Sequence, residues 1–221
     1  MAIDRWLLEQ HCLGQMPPTL RFYTWTPVAI SLGYHQRQYP QHWPELTWQG
    51  QPLDIVRRPS GGRAVLHQGD LTYAIVASGF GANRMQAYQQ ICEFLIQGWR
   101  SLGVDLRYGM AGRGYIHNPN CFGTATAADL VMPDGIKLVG SAQLRRGDTI
   151  LQHGSMPLQQ DPVLYKKVFA EQPQLPELQS IDISMVITAL TEAALQCFRI
   201  EFDVQLLSEM EWLAIAALGS L

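Results

Sequence analysis

Around residue 60 the chain is composed to break a strand and start it again. Leu53-Asp54-Ile55-Val56 reads as a strand, Pro59-Ser60-Gly61-Gly62 interrupts it, and Arg63-Ala64-Val65-Leu66 resumes it. Proline cannot donate to a ladder, and adjacent glycines accept positive φ and close backbone approach, so the run predicts a strand–turn–strand hairpin. Arg57, Arg58 and His67 bring positive charge and a titratable group to the same rim. Strand alternation sends Arg57 and Arg58 to opposite faces, so at most one of them faces a ligand there. A sheet is therefore required, and its turn is a candidate ligand site. His67 either binds that ligand or holds the loop.

Composition narrows what surrounds the sheet. With 221 residues and 47% hydrophobic content, the chain can bury one large core or two small ones. A net charge of −3, with 16% charged residues, leaves no basic stripe and argues against nucleic acid as the main partner. Charges fall within Met1-Ala2-Ile3-Asp4-Arg5-Trp6, so the start lacks an apolar signal core. No run approaches the roughly 18 consecutive apolar residues of a membrane span. Cysteines 12, 92, 121 and 197 show no C-x-x-C spacing and read as reduced thiols of a cytoplasmic protein.

The remaining periodicities place the elements. Residues 2–14 form a helix with Ile3, Trp6, Leu7 and Leu13 on one side, ended by Gly14 and Pro17-Pro18. Strands are expected at 20–23 and 28–32, followed by an aromatic-rich loop through Trp43 and Trp48. Residues 71–76, β-branched and aromatic, read as a buried strand. A helix over 83–102 carries a stripe of Met85, Tyr88, Ile91, Cys92, Leu95, Trp99 and Leu102. Beyond a Gly-rich connection over 109–121 come strands at 129–132 and 137–143, a Gly147-Asp148 turn and a strand at 149–153. A short helix near 163–169 precedes helices over 184–198 and 208–218, the last opened by a Ser208/Glu211 capping box. With no repeat or linker, residues 1–221 read as a single α+β domain.

Several residues could carry chemistry. Cys92 lies on an apolar helical stripe, Cys12 near the end of the first helix and Cys197 beside Phe198, and all three read as inert core thiols. Cys121 instead follows Asn118-Pro119-Asn120 in a loop, where it is either a nucleophile or a small semi-buried residue. By alternation Lys137, Val139, Ser141 and Gln143 share one face of their strand, opposite Leu138, Gly140 and Ala142. Lys137 could neutralise an oxyanion or share a proton with a thiol, or stand as a solvated edge lysine. Across the turn, Leu151, His153 and Ser155 share a face, so His153 could join that pocket or be structural. Gly109-Met-Ala-Gly-Arg-Gly114 neither follows a strong strand nor opens a helix, and His35 and His42 lack a metal-ligand context.

Taken together, these motifs resemble the biotin/lipoate protein ligase and octanoyltransferase superfamily, from Met1-Ala2-Ile3-Asp4 through Gln152-His153-Gly154-Ser155. Arg57-Arg58-x-Ser60-Gly61-Gly62-Arg63-Ala64-Val65-x-His67 resembles its acyl-binding loop, and Lys137-x-Val139-Gly140-Ser141-Ala142-Gln143 its catalytic lysine segment. The resemblance implies a core like that of class II aminoacyl-tRNA synthetases and biotin ligases, a central, largely antiparallel sheet flanked by helices. It implies catalysis by Cys121 and Lys137. It also implies acyl binding by Arg58, Ser60, Gly61, Gly62, Arg63, Ala64 and His67, with Gly140, Ser141, Ala142 and His153. The reaction implied is octanoyl transfer from acyl carrier protein to a lysine of a lipoyl domain or the glycine-cleavage H protein, by a monomer needing no metal or cofactor.

Within that superfamily the ATP- and magnesium-dependent lipoate ligases carry a third glycine where this chain has Arg63, and they commonly rely on an accessory C-terminal domain. Cys121-Phe122, ahead of Asp129-Leu130, resembles the cysteine of the octanoyltransferase and amidotransferase branch instead. A lipoate ligase, an amidotransferase between carrier domains and a non-catalytic lipoyl-domain binder are the alternatives. Arg145-Arg146 is either a basic rim for an acidic acceptor or a solvated turn. The family pattern also places a further strand before Met1, so the chain is expected to start late relative to it.

Overall fold

Two stretches, Asp70–Ala77 and Thr149–Pro157, are buried along their whole length. A strand covered on both faces must lie inside a sheet that has a layer on either side. The computed structural model describes residues 1–81, 83–109, 122, 126, 128–176, 178 and 181–219. In chain order these run through helix α1 (Ala2–Cys12), strands β1 (Thr19–Tyr23) and β2 (Ala29–Leu32), a 3-10 turn at Trp43–Glu45, and β3 (Thr47–Trp48) with β4 (Gln51–Pro52). Then come β5 (Asp54–Arg57), β6 (Val65–His67), β7 (Asp70–Ala77), α2 (Arg84–Ser101), β8 (Arg107–Tyr108) and β9 (Leu130–Val131). The last elements are β10 (Lys137–Arg146), β11 (Thr149–Pro157), α3 (Pro162–Phe169), α4 (Ile183–Phe198) and α5 (Glu209–Gly219).

The main sheet has six strands in the order β1-β7-β11-β10-β9-β8, every pairing antiparallel. On one face α2 and α4 bury Phe94, Leu95, Trp99 and Leu190 against Tyr73, Leu138 and Ile150. On the other, α1 packs Trp6, Leu7 and Leu8 onto Ala74, Val76 and Leu151, with Ile215 of α5 completing the cluster. This is the expected α+β architecture of a largely antiparallel sheet flanked by helices. Helix ends follow local chemistry: Asn83 caps α2 through Met85 N at 2.9 Å, and Ser208 and Glu211 form the capping box of α5.

The expected hairpin at residue 60 does not close. Strand β2 lies between its two arms, parallel to β5 and antiparallel to β6, in a three-stranded sheet of order β5-β2-β6. All four residues of β2 are buried, and a strand so enclosed takes the centre with a neighbour on each side. Ile30, Leu32, Ala64 and Leu66 pack behind this small sheet on Leu164 and Val168 of α3. Trp43 joins them fully buried, its indole N–H donating to Val168 O at 2.8 Å, so the aromatic-rich loop is a core element. The 58–64 segment then folds across the end of β2. A Cβ on Gly33 would lie 1.9 Å from Gly62 O, and Gly62 itself has φ of 96°. Glycine at both positions allows that crossing.

Three smaller expectations are corrected. Leu13 lies beyond the last turn of α1 and is 68% exposed, and Cys12 is exposed, so neither belongs to a core. Met85 is exposed in the first turn of α2, where the stripe has not yet met the sheet. The strand expected over 129–132 contracts to Leu130–Val131, because Asp129 is taken up by Thr126 and Lys137.

Candidate active site

Alternation along β2 and β6 creates a polar seam between the two sheets. While Ile30, Leu32 and Leu66 serve the α3 core, Ser31 and His67 turn the other way, toward Thr72 and Ser155 of the main sheet. Arg58, Gly62, Gly140, Ala142 and His153 complete the wall of a cavity of about 50 Å³. Ser141 borders it as well, its hydroxyl bonded at 2.8 Å to Tyr73 OH. Thus seven of the residues expected to bind an acyl group, Arg58, Gly62, His67, Gly140, Ser141, Ala142 and His153, line one space.

Two hydrogen-bonded chains run through the seam. In the first, His67 Nε2 meets Ser31 Oγ and its Nδ1 meets Asp70 Oδ2, each at 2.8 Å. Asp70 Oδ2 also accepts from Ser155 Oγ at 2.6 Å and Thr72 Oγ1 at 3.2 Å, while its buried Oδ1 has no hydrogen-bond partner among the described residues. The indole of Trp25 stacks on His67, ring centroids 4.0 Å apart. In the second chain Ser60 Oγ meets His153 Nε2 at 2.5 Å, and His153 Nδ1 meets Asp4 Oδ2 at 3.1 Å.

Asp4 is fully buried and further held by Arg21 at 2.5 Å and by Tyr23 OH at 3.0 Å. Burial pushes its carboxyl pKa up, but the bond and charge from His153 and the Arg21 guanidinium outweigh it, leaving Asp4 well below the usual carboxylate range. Burial pushes the pKa of His153 down, favouring the neutral ring. The ionised Asp4 accepts a hydrogen bond from Nδ1–H, so Nε2 is left to accept from Ser60.

Arg58 and Arg57 part as alternation requires. Arg58 is buried, donating to Ser31 O at 2.9 Å, Ser31 Oγ at 3.1 Å, Arg63 O at 2.6 Å and Gly61 O at 3.0 Å. One guanidinium thus ties the 58–64 loop to β2. Arg57 is exposed and binds the carbonyls of Gly33 and Gln36. Gly61 and Arg63 contribute carbonyls to this clamp, whereas Ala64 is fully buried in the α3 core.

Lys137 does not lie where simple alternation puts it. The register with β9 slips between Lys137 and Val139, and a bulge of this kind re-aims the side chain that precedes it. A Cβ built on Gly140 would lie 2.9 Å from Lys137 Cε and 3.3 Å from Phe122 Cζ, so Lys137 lies across the Gly140 face. That is the face of His153, since Gly140 pairs with Ser155 and Ala142 with His153. Ser141 and Gln143 point to the opposite side, into a network with Tyr73 and Gln152. Nor is Lys137 a solvated edge residue: it is 5% exposed, ion-paired with Asp129 at 3.1 Å, and 4.9 Å from the Phe122 ring centroid. Asp129 is positioned in turn by Thr126 N at 2.7 Å and Thr126 Oγ1 at 2.9 Å.

Cys121 and the Gly-rich run from Met110 lie outside the described residues. Burial pushes the Cys92 thiol up to about 12 and raises that of Cys197, consistent with inert thiols at both. Arg145 is spent on the carbonyls of Phe80 and Gly81, and Arg146 lies 3.7 Å from Glu9. Sequence reasoning passed over Asp4, Ser31, Asp70 and Asp129. Asp4 carried a signal, since it stands one turn before Leu8 on the buried side of α1.

The lipoyl protein ligase A/B catalytic domain model matches residues 1–202. The chain belongs to this family. Among curated relatives, the octanoyltransferase LipM of Kyrpidia tusciae is 40% identical over 73% of this chain and 62% of its own length. That of Bacillus subtilis is 38% identical over 73% of this chain and 61% of its own length. The chain therefore spans somewhat over three fifths of these relatives. The fold is shared with a lipoate-protein ligase A solved with ATP, at a TM-score of 0.79 and 21% identity over 99% of this chain and 87% of that one. It is shared also with the bipartite lipoate protein ligase of Thermoplasma acidophilum, at 0.75 and 20% over 99% and 86%. Among the described residues, no helix is long and apolar enough to cross a membrane.

Proposed function

We propose that residues 1–221 form one catalytic domain that transfers an octanoyl group from acyl carrier protein to a lysine of a lipoyl domain or H protein. Identity of 35–40% to octanoyltransferases named LipM carries this reading. Arg63, where the resembling ligases have glycine, supports it over adenylate chemistry. In the first half-reaction the Cys121 sulfur attacks the carrier thioester, and the C–S bond to the carrier breaks. The thiol proton ends on the departing carrier sulfur. Lys137, fixed by Asp129, stabilises the thiolate and the tetrahedral oxyanion. In the second half-reaction the acceptor amine attacks octanoyl-Cys121, an amide forms, and the cysteine sulfur leaves. Neither ATP nor a metal enters this balance, and four cysteines without paired spacing support a cytoplasmic setting.

The test incubates wild type and Cys121→Ala with octanoyl-carrier protein and apo-H protein, without ATP. Mass spectrometry should find octanoyl on Cys121, and Cys121→Ala should transfer nothing. Full transfer by Cys121→Ala would remove the thioester route, and transfer only with ATP and free lipoate would favour a ligase.

A further inference from the structure

Aminolysis needs a base that the thioester scheme does not name. A lysine amine has a pKa of about 10.4 and reaches the site protonated, so its first proton must leave before nitrogen can attack. Lys137 is ill suited to take it, because its ammonium is already engaged with the Asp129 carboxylate at 3.1 Å. His153 is less suited, because burial and the nearby Arg58 guanidinium disfavour its charged form.

His67 is as buried as His153 and is likewise bonded to a serine and a carboxylate, but its ring is stacked on an aromatic face and its serine also accepts from Arg58. Its ring lies between a carboxylate and an aromatic face, Asp70 Oδ2 at 2.8 Å and the Trp25 indole at 4.0 Å. Asp70 fixes the tautomer, so Nε2 faces Ser31 Oγ at 2.8 Å as an acceptor. Ser31 and His67 both line the cavity, opposite the Gly140 wall on which Lys137 lies. Arg58 donates to Ser31 Oγ at 3.1 Å, leaving the hydroxyl proton free to point at His67. Among the described residues, the charged groups bonded to this chain are Asp70 on the ring and Arg58 on Ser31.

We propose that Ser31, His67 and Asp70 form a proton relay that deprotonates the incoming lysine in the aminolysis half-reaction. As the ammonium gives a proton to Ser31 Oγ, Ser31 passes its own to His67 Nε2. Nitrogen then bonds to the octanoyl carbon, and the C–S bond breaks. The second nitrogen proton ends on the Cys121 sulfur, and His67 releases its proton to solvent. Ser31 touches the amine, and Asp70 is a positioning residue.

The relay rests on the acyltransferase reading, so the half-reactions are followed separately by mass spectrometry in single turnover. His67→Gln is loaded to octanoyl-Cys121 before acceptor is added, so that any change in acyl binding stays out of the comparison. Near neutral pH it should pass the acyl group to apo-H protein about a hundredfold more slowly. The deficit should shrink as pH rises toward the amine's own pKa. Hydroxylamine, already neutral near pH 7, should discharge variant and wild type equally. Ser31→Ala, a smaller change, should show the same pattern if His67→Gln fails to fold. Unslowed aminolysis in both variants, a deficit equal at every pH, or equal slowing with hydroxylamine would each overturn the relay. A wild type that never forms octanoyl-Cys121 would strike the acyltransferase reading first, and the relay with it.

Discussion

Gly140 offers a way to move Lys137 without unfolding the protein. In Gly140→Ala the new methyl would stand 2.9 Å from Lys137 Cε and 3.2 Å from Nζ. Carbon–carbon contact is comfortable from about 3.5 Å, so Lys137 must retreat by roughly 0.6 Å. It can, since the obstacle is the far end of a flexible chain. The off-rotamer cost of about 0.5–1.5 kcal/mol is offset by about 0.4–1 kcal/mol from a stiffer unfolded chain, Gly140 having no positive φ. The net change in Tm should stay within about 4 °C. The rate should fall by about 10- to 100-fold, because a displacement approaching 1 Å at a reacting group costs about that much.

Gly154→Ala is the control. Its methyl would lie 2.5 Å from Tyr73 Cε1 and 2.8 Å from Gly140 O, and Tyr73 is fully buried with no room to yield. Overpacking of that kind costs about 2–3 kcal/mol, a Tm loss of about 4–12 °C. Thermal unfolding and octanoyl transfer at saturating donor, measured on both variants, separate the two effects. A Gly140→Ala enzyme with the wild-type rate, or one that melts as low as Gly154→Ala, would refute the placement of Lys137 as a movable group on the reacting face.

Asp4→Asn should lose about 3 kcal/mol in chemical denaturation, because it leaves Arg21 without its buried partner. The native carboxyl of Asp4 is held below its unfolded value, so the stability it lends is present above about pH 4 and drains away as pH falls further. A denaturation series should therefore steepen below that pH in the wild type and flatten there in the variant. With its thiol pushed up to about 12, Cys92 should resist alkylation until the protein is denatured, while exposed Cys12 labels in the native state. Peptide mapping reads both, and native labelling of Cys92 would contradict its burial. Trp43→Phe should cost about 1–3 kcal/mol by leaving Val168 O unsatisfied, read by urea denaturation.

Periodicity made the elements legible, but not their pairing. The 83–102 stripe, the 71–76 strand and the capping box at Ser208 appear where apolar spacing and local donors put them, since these signals are carried within a few residues. The insertion of β2 between β5 and β6 depends on which sheet edge is free, and no local pattern encodes that. His153 was legible on the face of Leu151 and Ser155 because β11 pairs without interruption. Lys137 was not, because a single register slip reverses the face of everything before it. Asp4 and Asp70 stayed hidden for a different reason. Each is a single carboxylate with a partner from a distant segment, His153 for Asp4 and Ser155 for Asp70.

Those distant partners also explain why the site lies in the seam. Each imidazole is held at both nitrogens, by a serine on one side and a carboxylate on the other, and each carboxylate is held by further donors from the main sheet or its flanking segments. Rings restrained in this way need no ordering step when substrate arrives, which is the condition for preorganised catalysis. The cost is that the site depends on the packing behind it. Ser31 lies between Ile30 and Leu32, whose side chains fill the α3 core, so one short strand supplies both layers. A cavity cut at Ile30 or Leu66 would reach the relay through a single backbone bond. Substitutions beneath β2 should therefore slow aminolysis before they unfold the protein, whereas equal truncations beneath α4, farther from Ser31, should lower stability alone.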